Sequence, residues 1–149
     1  MSEHHFHFSA AWPGGRNSVG TIDCGHLKAQ VSIDTGMGGP GVGTNPDEML
    51  LGAAATCYLM TLAAMLERAQ LPVARMVFES DITVTVDRGA YRCKEIVHRP
   101  AITLPHGASA ADLDKLRRLT DAADRYCMVS NALRGNVAIE VRPQLDIAD

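Results

Sequence analysis

The four cysteines, Cys24, Cys57, Cys93 and Cys127, offer the most specific chemistry among the residue types of this chain. Each lies more than thirty positions from the next, so no CxxC or CxxH pair exists and the spacing does not support a zinc site. A chain of 149 residues also buries enough surface to fold without disulfides. We therefore expect redox or metal chemistry rather than a structural framework. Any two cysteines that act together must be brought together by the fold.

Cys57 lies in the most apolar segment of the chain, and the small residues at 52–56 leave space beside its thiol for a substrate. The alternative is a cysteine packed as a small hydrophobe. A reactive thiol must ionise, and apolar burial opposes this. Because Cys57 lies nearly three turns into its helix, the macrodipole does not help and a tertiary cation is expected. Arg16, on a glycine-rich turn, is the first candidate for that cation, and Arg125 and Arg134 remain open.

The six histidines raise the hypothesis of a metal site, because His5 and His7 would lie on the same face of a strand. Two ligands without convergent Cys or His spacing do not make such a site. We interpret the histidines as surface or strand-face residues, and we expect neither a metal nor a cofactor. Cys24 and Cys93 are interpreted as packed strand residues.

Composition excludes several classes of function. The net charge of −3 and the absence of a Lys/Arg run argue against a nucleic-acid-binding surface. Residues 49–66 carry no charge over a length near the lower limit for a membrane span, but small and polar residues dilute the segment and no positive flank borders it. The amino terminus does not resemble a secretory signal. We expect a cytoplasmic protein with no membrane segment.

A long central helix must carry Cys57. Asn45 is a good cap, Pro46 suits the first helical position, and Glu48 stands at the capping-box position. The helix is predicted to run to about Gln70, before Pro72. Because it is apolar on every side, it needs cover all round, from a sheet on one side and from other helices or a partner subunit on the other. A homodimer is plausible on this ground.

A second helix must carry Cys127. Ser109 and Asp112 form a capping box, and an apolar stripe from Leu113 through Leu116 ends at Cys127. The helix is predicted to extend or restart over residues 130–133, before a glycine stops it.

Alternating apolar and polar residues predict the strands, with Pro100 suggesting that one of them is at an edge or bulged. A turn at residues 87–89 would join two of these strands as a hairpin. We predict an α+β fold in one domain over residues 1–149, with an antiparallel sheet and two main helices. The predicted strands cover residues 6–12, 19–23, 27–33, 76–86, 91–104 and 137–141.

Two segments carry a family resemblance. Residues 44–57 read TNPDEMLLGAAATC and end in Cys57, and residues 127–133 read CMVSNAL and begin with Cys127. At this spacing, both segments resemble the OsmC/Ohr family of thiol peroxidases. The order of strands and helices also follows that family, so the resemblance covers nearly the whole chain.

The resemblance implies an enzyme, a two-cysteine organic hydroperoxide reductase of oxidative stress defence. Cys57 would attack an alkyl or fatty-acid hydroperoxide and become a sulfenic acid, and Cys127 would close a disulfide onto it. Arg16 aligns with the family's catalytic arginine. Asp47 stands where the family usually has the glutamate that pairs with this arginine, although Asp47 is equally an ordinary acid for a first helical turn. The resemblance also implies an intertwined homodimer and a thiol reductant, either a lipoylated protein or another dithiol.

A binding protein is the alternative from another class. The same apolar cleft could hold a lipid or another hydrophobic ligand in a chain that has lost turnover. Counting free thiols after addition of a hydroperoxide distinguishes the two hypotheses, because only the enzyme would lose thiols.

Overall fold

The computed structural model describes residues 1–149. It divides them into two compact units, residues 1–50 and residues 51–149, and each unit contains one β-sheet.

The first unit is built on a three-stranded antiparallel meander of β1 (Ser9–Ala11), β2 (Gly20–Cys24) and β3 (Leu27–Val31). The β2–β3 hairpin turns through two residues, and Gly25 takes the positive φ of 65° that the turn requires. A single 3-10 turn follows at Thr35–Met37. The three predicted strands are confirmed, although the first is much shorter than predicted.

Helix α1 (Pro46–Arg68) begins as its capping signals predict. The side-chain oxygen of Asn45 accepts a hydrogen bond from the Glu48 N–H at 2.9 Å. The carboxylate of Glu48 accepts one from the Thr44 hydroxyl at 2.7 Å.

The end of α1 is a Schellman turn without glycine. Gln70 has a φ of 52°, its N–H donates to the Glu67 carbonyl at 2.9 Å, and the Leu71 N–H donates to the Leu66 carbonyl at 3.1 Å. This turn ends the helix at Arg68, two residues before the predicted end.

In the second unit, β4 (Arg75–Asp87) and β5 (Ala90–Leu104) form the predicted hairpin. Its two-residue turn uses left-handed conformations at Arg88 and Gly89, with φ of 49° and 80°. The pairing shifts between Thr83 and Val84 as a β-bulge.

From Pro100, the strand 91–104 was expected to be at an edge or bulged. The edge is wrong, because β5 is a central strand, whereas the bulge is present, because Lys94 is an extra residue on β5 between the pairs Thr83–Glu95 and Val84–Cys93. On the side opposite β4, its residues 95–98 pair in parallel with β6 (Ala138–Val141), and residues 101–104 pair in parallel with β7 (Gln144–Ile147). Pro100 lies between these two pairings, where a missing N–H removes no ladder hydrogen bond. The sheet is therefore mixed rather than antiparallel, and β7 is a strand that the sequence analysis did not predict.

Helix α2 (Ala110–Tyr126) starts at the predicted capping box. The Ser109 hydroxyl accepts from the Asp112 N–H at 3.1 Å, and the Asp112 carboxylate accepts from the Ser109 N–H at 2.8 Å. The chain then restarts as α3 (Met128–Leu133), which confirms the predicted restart. One residue, Cys127, separates the two helices.

The core of the second unit forms where α1 packs against the sheet and α2. Tyr58 is fully buried there and stacks on His98, with ring centroids 4.9 Å apart. Its hydroxyl donates to the Thr120 carbonyl of α2 at 3.0 Å. The other buried members of this cluster are Leu62, Leu66, Leu71, Ile102, Leu104, Leu116, Ala123 and Cys127.

The fold covers one face of α1 and leaves another exposed, so the expectation of cover all round is not met within the single chain. By length and composition alone α1 could cross a membrane, but four of its residues, Ala54, Tyr58, Leu62 and Leu66, are buried in the cores of the protein. The exposed face consists of Gly52, Ala53, Thr56, Met60, Ala63 and Ala64.

Candidate active site

The structure brings Cys57 and Cys127 together, and their side chains are hydrogen-bonded to each other. Cys57 is half-buried on α1, whereas Cys127 is fully buried after the last turn of α2. The packing of the two helices explains the contact, because the residue after Cys57, Tyr58, is bonded to α2 through Thr120. Two residues seventy positions apart thus form one thiol pair.

Cys127 occupies the kink between α2 and α3. Its backbone is extended, with φ of −68° and ψ of 118°, and its N–H still donates to the Ala123 carbonyl at 2.9 Å. Its sulfur accepts from the Ser130 N–H at 3.5 Å, in the manner of a helix cap. The chain therefore changes direction at this residue, and the first N–H groups of α3 are left without partners inside the helix.

Those N–H groups act on Cys57. Burial by itself raises the pKa of the Cys57 thiol. Hydrogen bonds from the Val129 N–H, the Cys127 thiol and the Met128 N–H, with a smaller contribution from the Thr61 side chain, outweigh burial and bring the pKa below its ordinary value. Among the groups that lower the pKa of Cys57, the backbone N–H of Val129 contributes most. The cation expected from the sequence stays a prediction beside these donors.

The pKa of Cys127 shifts in the opposite direction. Burial raises the pKa of its thiol, and the neighbouring Cys57 raises it further, while hydrogen bonds from Ser130 lower it without cancelling these effects. Cys57 therefore ionises first, and Cys127 remains a thiol beside the thiolate. In such a pair, one sulfur can act as the nucleophile while the other keeps its proton.

Arg16 and Asp47 both lie in the first unit, and no ion pair joins them. The Arg16 guanidinium donates to the carbonyls of Met37 at 2.8 Å and Gly38 at 3.3 Å, and to the side chain of Asn17 at 2.9 Å. Asp47 is half-buried in the first turn of α1. The catalytic roles that the resemblance implies for both residues remain predictions.

The loop that binds Arg16 is tightly built. The carboxylate of Asp34 accepts from the Gly36 N–H at 2.7 Å, and its carbonyl accepts from the Gly39 N–H at 2.9 Å. A Cβ at Gly39 would meet the carbonyl oxygen of Ile33 at 2.2 Å, so only glycine fits there. This loop fixes the two carbonyls that hold the guanidinium.

The other two candidate cations do not act on the Cys57 thiol. Arg134 is engaged with Asp124, donating to its carboxylate and to its carbonyl, each at 3.2 Å. Arg125 is exposed, and its carbonyl accepts from the Asn131 side chain at 3.0 Å.

An apolar pocket of about 600 Å³ lies one helical turn beyond Cys57. Thr61 connects the two, because it lines the pocket and its hydroxyl donates to the Cys57 carbonyl at 2.7 Å. Sequence reasoning missed Thr61, the pocket and the donors of α3. A signal for the donors existed, since a thiol just before a predicted helix restart lies beside unpaired N–H groups. The pocket is lined by Met60, Thr61, Ala64, Met65, Arg68 and Tyr126.

His98 was interpreted as a surface or strand-face residue, and it is a strand residue that is fully buried. Its Nδ1 lies 2.8 Å from the Ser80 hydroxyl, and burial lowers its pKa against the opposing effect of Asp124. Cys93 packs against the cluster of Ala54 and Ile96, as expected for a strand residue.

A family model described as "OsmC-like protein" matches residues 38–142. An uncharacterized protein from Bacillus subtilis, YmaD, is 48% identical over 147 residues, which cover 99% of this chain and 98% of that one. An organic hydroperoxide resistance protein from Xanthomonas axonopodis pv. citri is 29% identical over 129 residues, or 85% of each chain.

Solved structures share the fold. The structure of an organic hydroperoxide resistance protein OsmC from Legionella pneumophila superposes with a TM-score of 0.75 at 20% identity, covering 100% of both chains. The α+β fold class expected from the sequence is confirmed by this likeness.

Proposed function

Because the chain belongs to the OsmC-like protein family, we propose that it is a cysteine-based peroxidase that reduces organic hydroperoxides to alcohols in stress defence. Family membership and relatives named for organic hydroperoxide resistance support a peroxidase-like role. The observation that carries the finer proposal is the contact of two thiols whose pKa values shift in opposite directions. This asymmetry supports Cys57 as the nucleophile.

In the first step, the Cys57 thiolate attacks the terminal oxygen of the hydroperoxide. The O–O bond breaks, the hydroxyl is transferred to sulfur as a sulfenic acid, and the alkoxide leaves with the electron pair. The alkoxide takes up the proton that Cys57 released on ionising, which gives the alcohol. The N–H groups of Met128 and Val129 favour this step by holding Cys57 as the thiolate.

In the second step, Cys127 attacks the sulfur of the sulfenic acid. A disulfide forms, the S–O bond breaks, and the hydroxyl leaves as water with the Cys127 proton. The raised pKa of Cys127 keeps this sulfur protonated while Cys57 is an anion. Once Cys57 is a sulfenic acid, the negative charge that opposed ionisation of Cys127 is gone. A dithiol, lipoylated or otherwise, then supplies two electrons to reopen the disulfide.

Arg16 and Asp47 are proposed as further catalytic residues on the family resemblance alone. An arginine can stabilise charge on the departing alkoxide, and a carboxylate can orient its guanidinium. Arg16 has to exchange its carbonyl partners, Met37 and Gly38, for such a role.

We also propose that the chain acts as a cytoplasmic homodimer. The exposed face of α1 combines small side chains with Met60, which is 70% exposed, and a second copy would cover it. An exposed apolar helix face of this kind is typical of an interface between subunits.

The apolar pocket beside Cys57 favours alkyl or fatty-acid hydroperoxides over hydrogen peroxide. Met60, Met65 and Tyr126 offer an apolar surface to a hydrocarbon chain, and hydrogen peroxide has no group that would use it.

Free-thiol counting on the reduced protein tests the proposal. One equivalent of cumene hydroperoxide per chain is expected to consume two thiols in the wild type and none in Cys57→Ser. Cys24→Ser, which changes a cysteine of the first unit, is the matched control and is expected to lose two thiols. Thiols that persist in the wild type would contradict the proposal.

The apolar pocket also favours one alternative, a protein that binds hydrophobic ligands without turnover. Unchanged thiols together with saturable binding of a fatty acid would support that alternative.

A further inference from the structure

Arg134 ties the last turn of α2 to α3. It is the residue at which α3 ends, and its N–H donates to the Ser130 carbonyl at 2.9 Å. Its guanidinium donates twice to Asp124, each time at 3.2 Å, and once to the side chain of Asn131 at 3.3 Å. Asn131 in turn donates to the Arg125 carbonyl at 3.0 Å. These four side-chain hydrogen bonds form a clamp across the kink, which we call the α2–α3 clamp.

Core packing of Val129 and Leu133 holds α3 against the second unit, and the clamp adds side-chain hydrogen bonds that fix the angle of the kink. α3 is only six residues long, and a single extended residue, Cys127, joins it to α2. Asp124 anchors the clamp in the interior, since its side chain is 14% exposed and bonded to Arg134. The angle of the kink determines where the N–H groups of Met128 and Val129 point.

We propose that Arg134 is a positioning residue for Cys57: through Asp124 and Asn131 it holds α3 at the angle that aims the N–H groups of Met128 and Val129 at the Cys57 sulfur. The effect of Arg134 on catalysis rests on the proposed function, because it assumes that Cys57 attacks the hydroperoxide. The inference goes beyond that function by assigning a role to a residue that touches neither thiol.

Arg134 acts through geometry and not through its charge. Among titratable groups, only Cys127 acts on the Cys57 thiol, and the two acids at this end of α2, Asp121 and Asp124, act on Tyr58 instead. The two mechanisms predict opposite results for loss of Asp124. Loss of the clamp removes hydrogen bonds from the thiolate and raises the pKa of Cys57, whereas loss of a nearby negative charge would lower it.

The pH dependence of Cys57 alkylation, followed by mass spectrometry of the Cys57 peptide in the full reduced chain, distinguishes these mechanisms. The alkylation midpoint is expected to rise by about one pH unit in Arg134→Ala and in Asp124→Ala, because hydrogen bonds to the thiolate are lost. Arg134→Lys, which keeps one bond to Asp124, is expected to recover part of the shift. At a pH below the wild-type alkylation midpoint, Arg134→Ala and Asp124→Ala are expected to consume hydroperoxide about tenfold more slowly than the wild type, because a smaller fraction of Cys57 is ionised.

Arg125→Ala is the matched control. This variant removes a positive charge at the residue next to Asp124. The backbone carbonyl of residue 125 still accepts from Asn131, so the alkylation midpoint of Cys57 is expected to stay unchanged. If the Asp124→Ala protein fails to fold, Asn131→Ala is a second variant, altered at an exposed residue. It removes two hydrogen bonds of the clamp and is expected to raise the alkylation midpoint by a smaller amount.

An unchanged midpoint in folded Arg134→Ala, or a lowered midpoint in Asp124→Ala, overturns the inference. The titration needs no hydroperoxide, so a protein that shows the shift but consumes no hydroperoxide refutes the proposed function and leaves the clamp intact.

Discussion

The thiol pair of the second unit and the Arg16 loop of the first unit are built in contrasting ways. Cys57 and Cys127 meet in a packed core, and backbone donors already favour the thiolate of Cys57. Arg16 is exposed and is bonded to two backbone carbonyls rather than to an anion. The fold therefore organises the proposed nucleophile, whereas the proposed cation must change its partners to act. Because hydrogen bonds already lower the pKa of Cys57, we expect the proposed contribution of Arg16 to fall on the departing oxygen.

Arg16→Ala tests this division with the largest expected effect. Hydroperoxide consumption is expected to fall on the order of a hundredfold, as on losing one donor to a developing oxyanion. The pKa of Cys57 should not change, because hydrogen bonds rather than Arg16 lower it. Kinetics and the alkylation midpoint, measured on the same preparation, check both parts. A raised midpoint would mean that Arg16 does ionise Cys57.

The variant that removes the second sulfur separates the two chemical steps. Cys127→Ser is expected to complete one turnover and then stop, leaving a sulfenic acid that dimedone traps on Cys57. The rate of that first turnover is expected to stay within about threefold of the wild type, because the serine hydroxyl can donate to the Cys57 thiolate in place of the Cys127 thiol. Stopped-flow kinetics and mass spectrometry measure the two effects. Continued turnover would show that Cys127 is not the resolving cysteine.

The order of ionisation gives a smaller but direct test. The Cys57 thiolate fraction rises with pH through a midpoint that is lowered, and the Cys127 fraction rises only at higher pH, through a midpoint that is raised. Alkylation is therefore expected to label Cys57 first as the pH increases, with Cys127 following. Quantitative peptide mapping over pH 5–11 is the measurement. The reverse order of labelling would exchange the roles of the two sulfurs.

Tyr58→Phe probes the packing that holds the pair together, and it has the smallest expected effect. Removing the hydroxyl breaks one hydrogen bond to Thr120, which is expected to lower the free energy of unfolding by about 1 kcal/mol. The ring stacking on His98 is retained, so the pKa of Cys57 should shift little. Urea unfolding checks the first expectation and alkylation checks the second. A large pKa shift would mean that this bond sets the distance between the two thiols.

Local signals predicted the elements that position the thiols. The cap at Asn45, the capping box at Ser109 and the stripe that ends at Cys127 all have short-range causes, and each is present in the structure. The edge position expected from Pro100 was wrong because the strands that pair with this part of β5, β6 and β7, lie far along the chain. A proline at the junction of two partner strands has the same local sequence as one at an edge.

The ionisation of Cys57 was the part of the site that the sequence could not predict. It depends on N–H groups of residues 128 and 129, whose direction is set by a kink and by the α2–α3 clamp rather than by any residue near Cys57. Sequence patterns point to charged side chains as the usual cause of a lowered thiol pKa. The predicted helix restart places free N–H groups beside Cys127, but it does not show that they reach Cys57.

Peptide mapping after one equivalent of organic hydroperoxide is the most direct test of the proposed disulfide between Cys57 and Cys127. A single crosslinked peptide pair within one chain, joining these two residues, is expected. A disulfide that involves Cys24, or a hydroperoxide-treated protein with Cys57 still reduced, would contradict it.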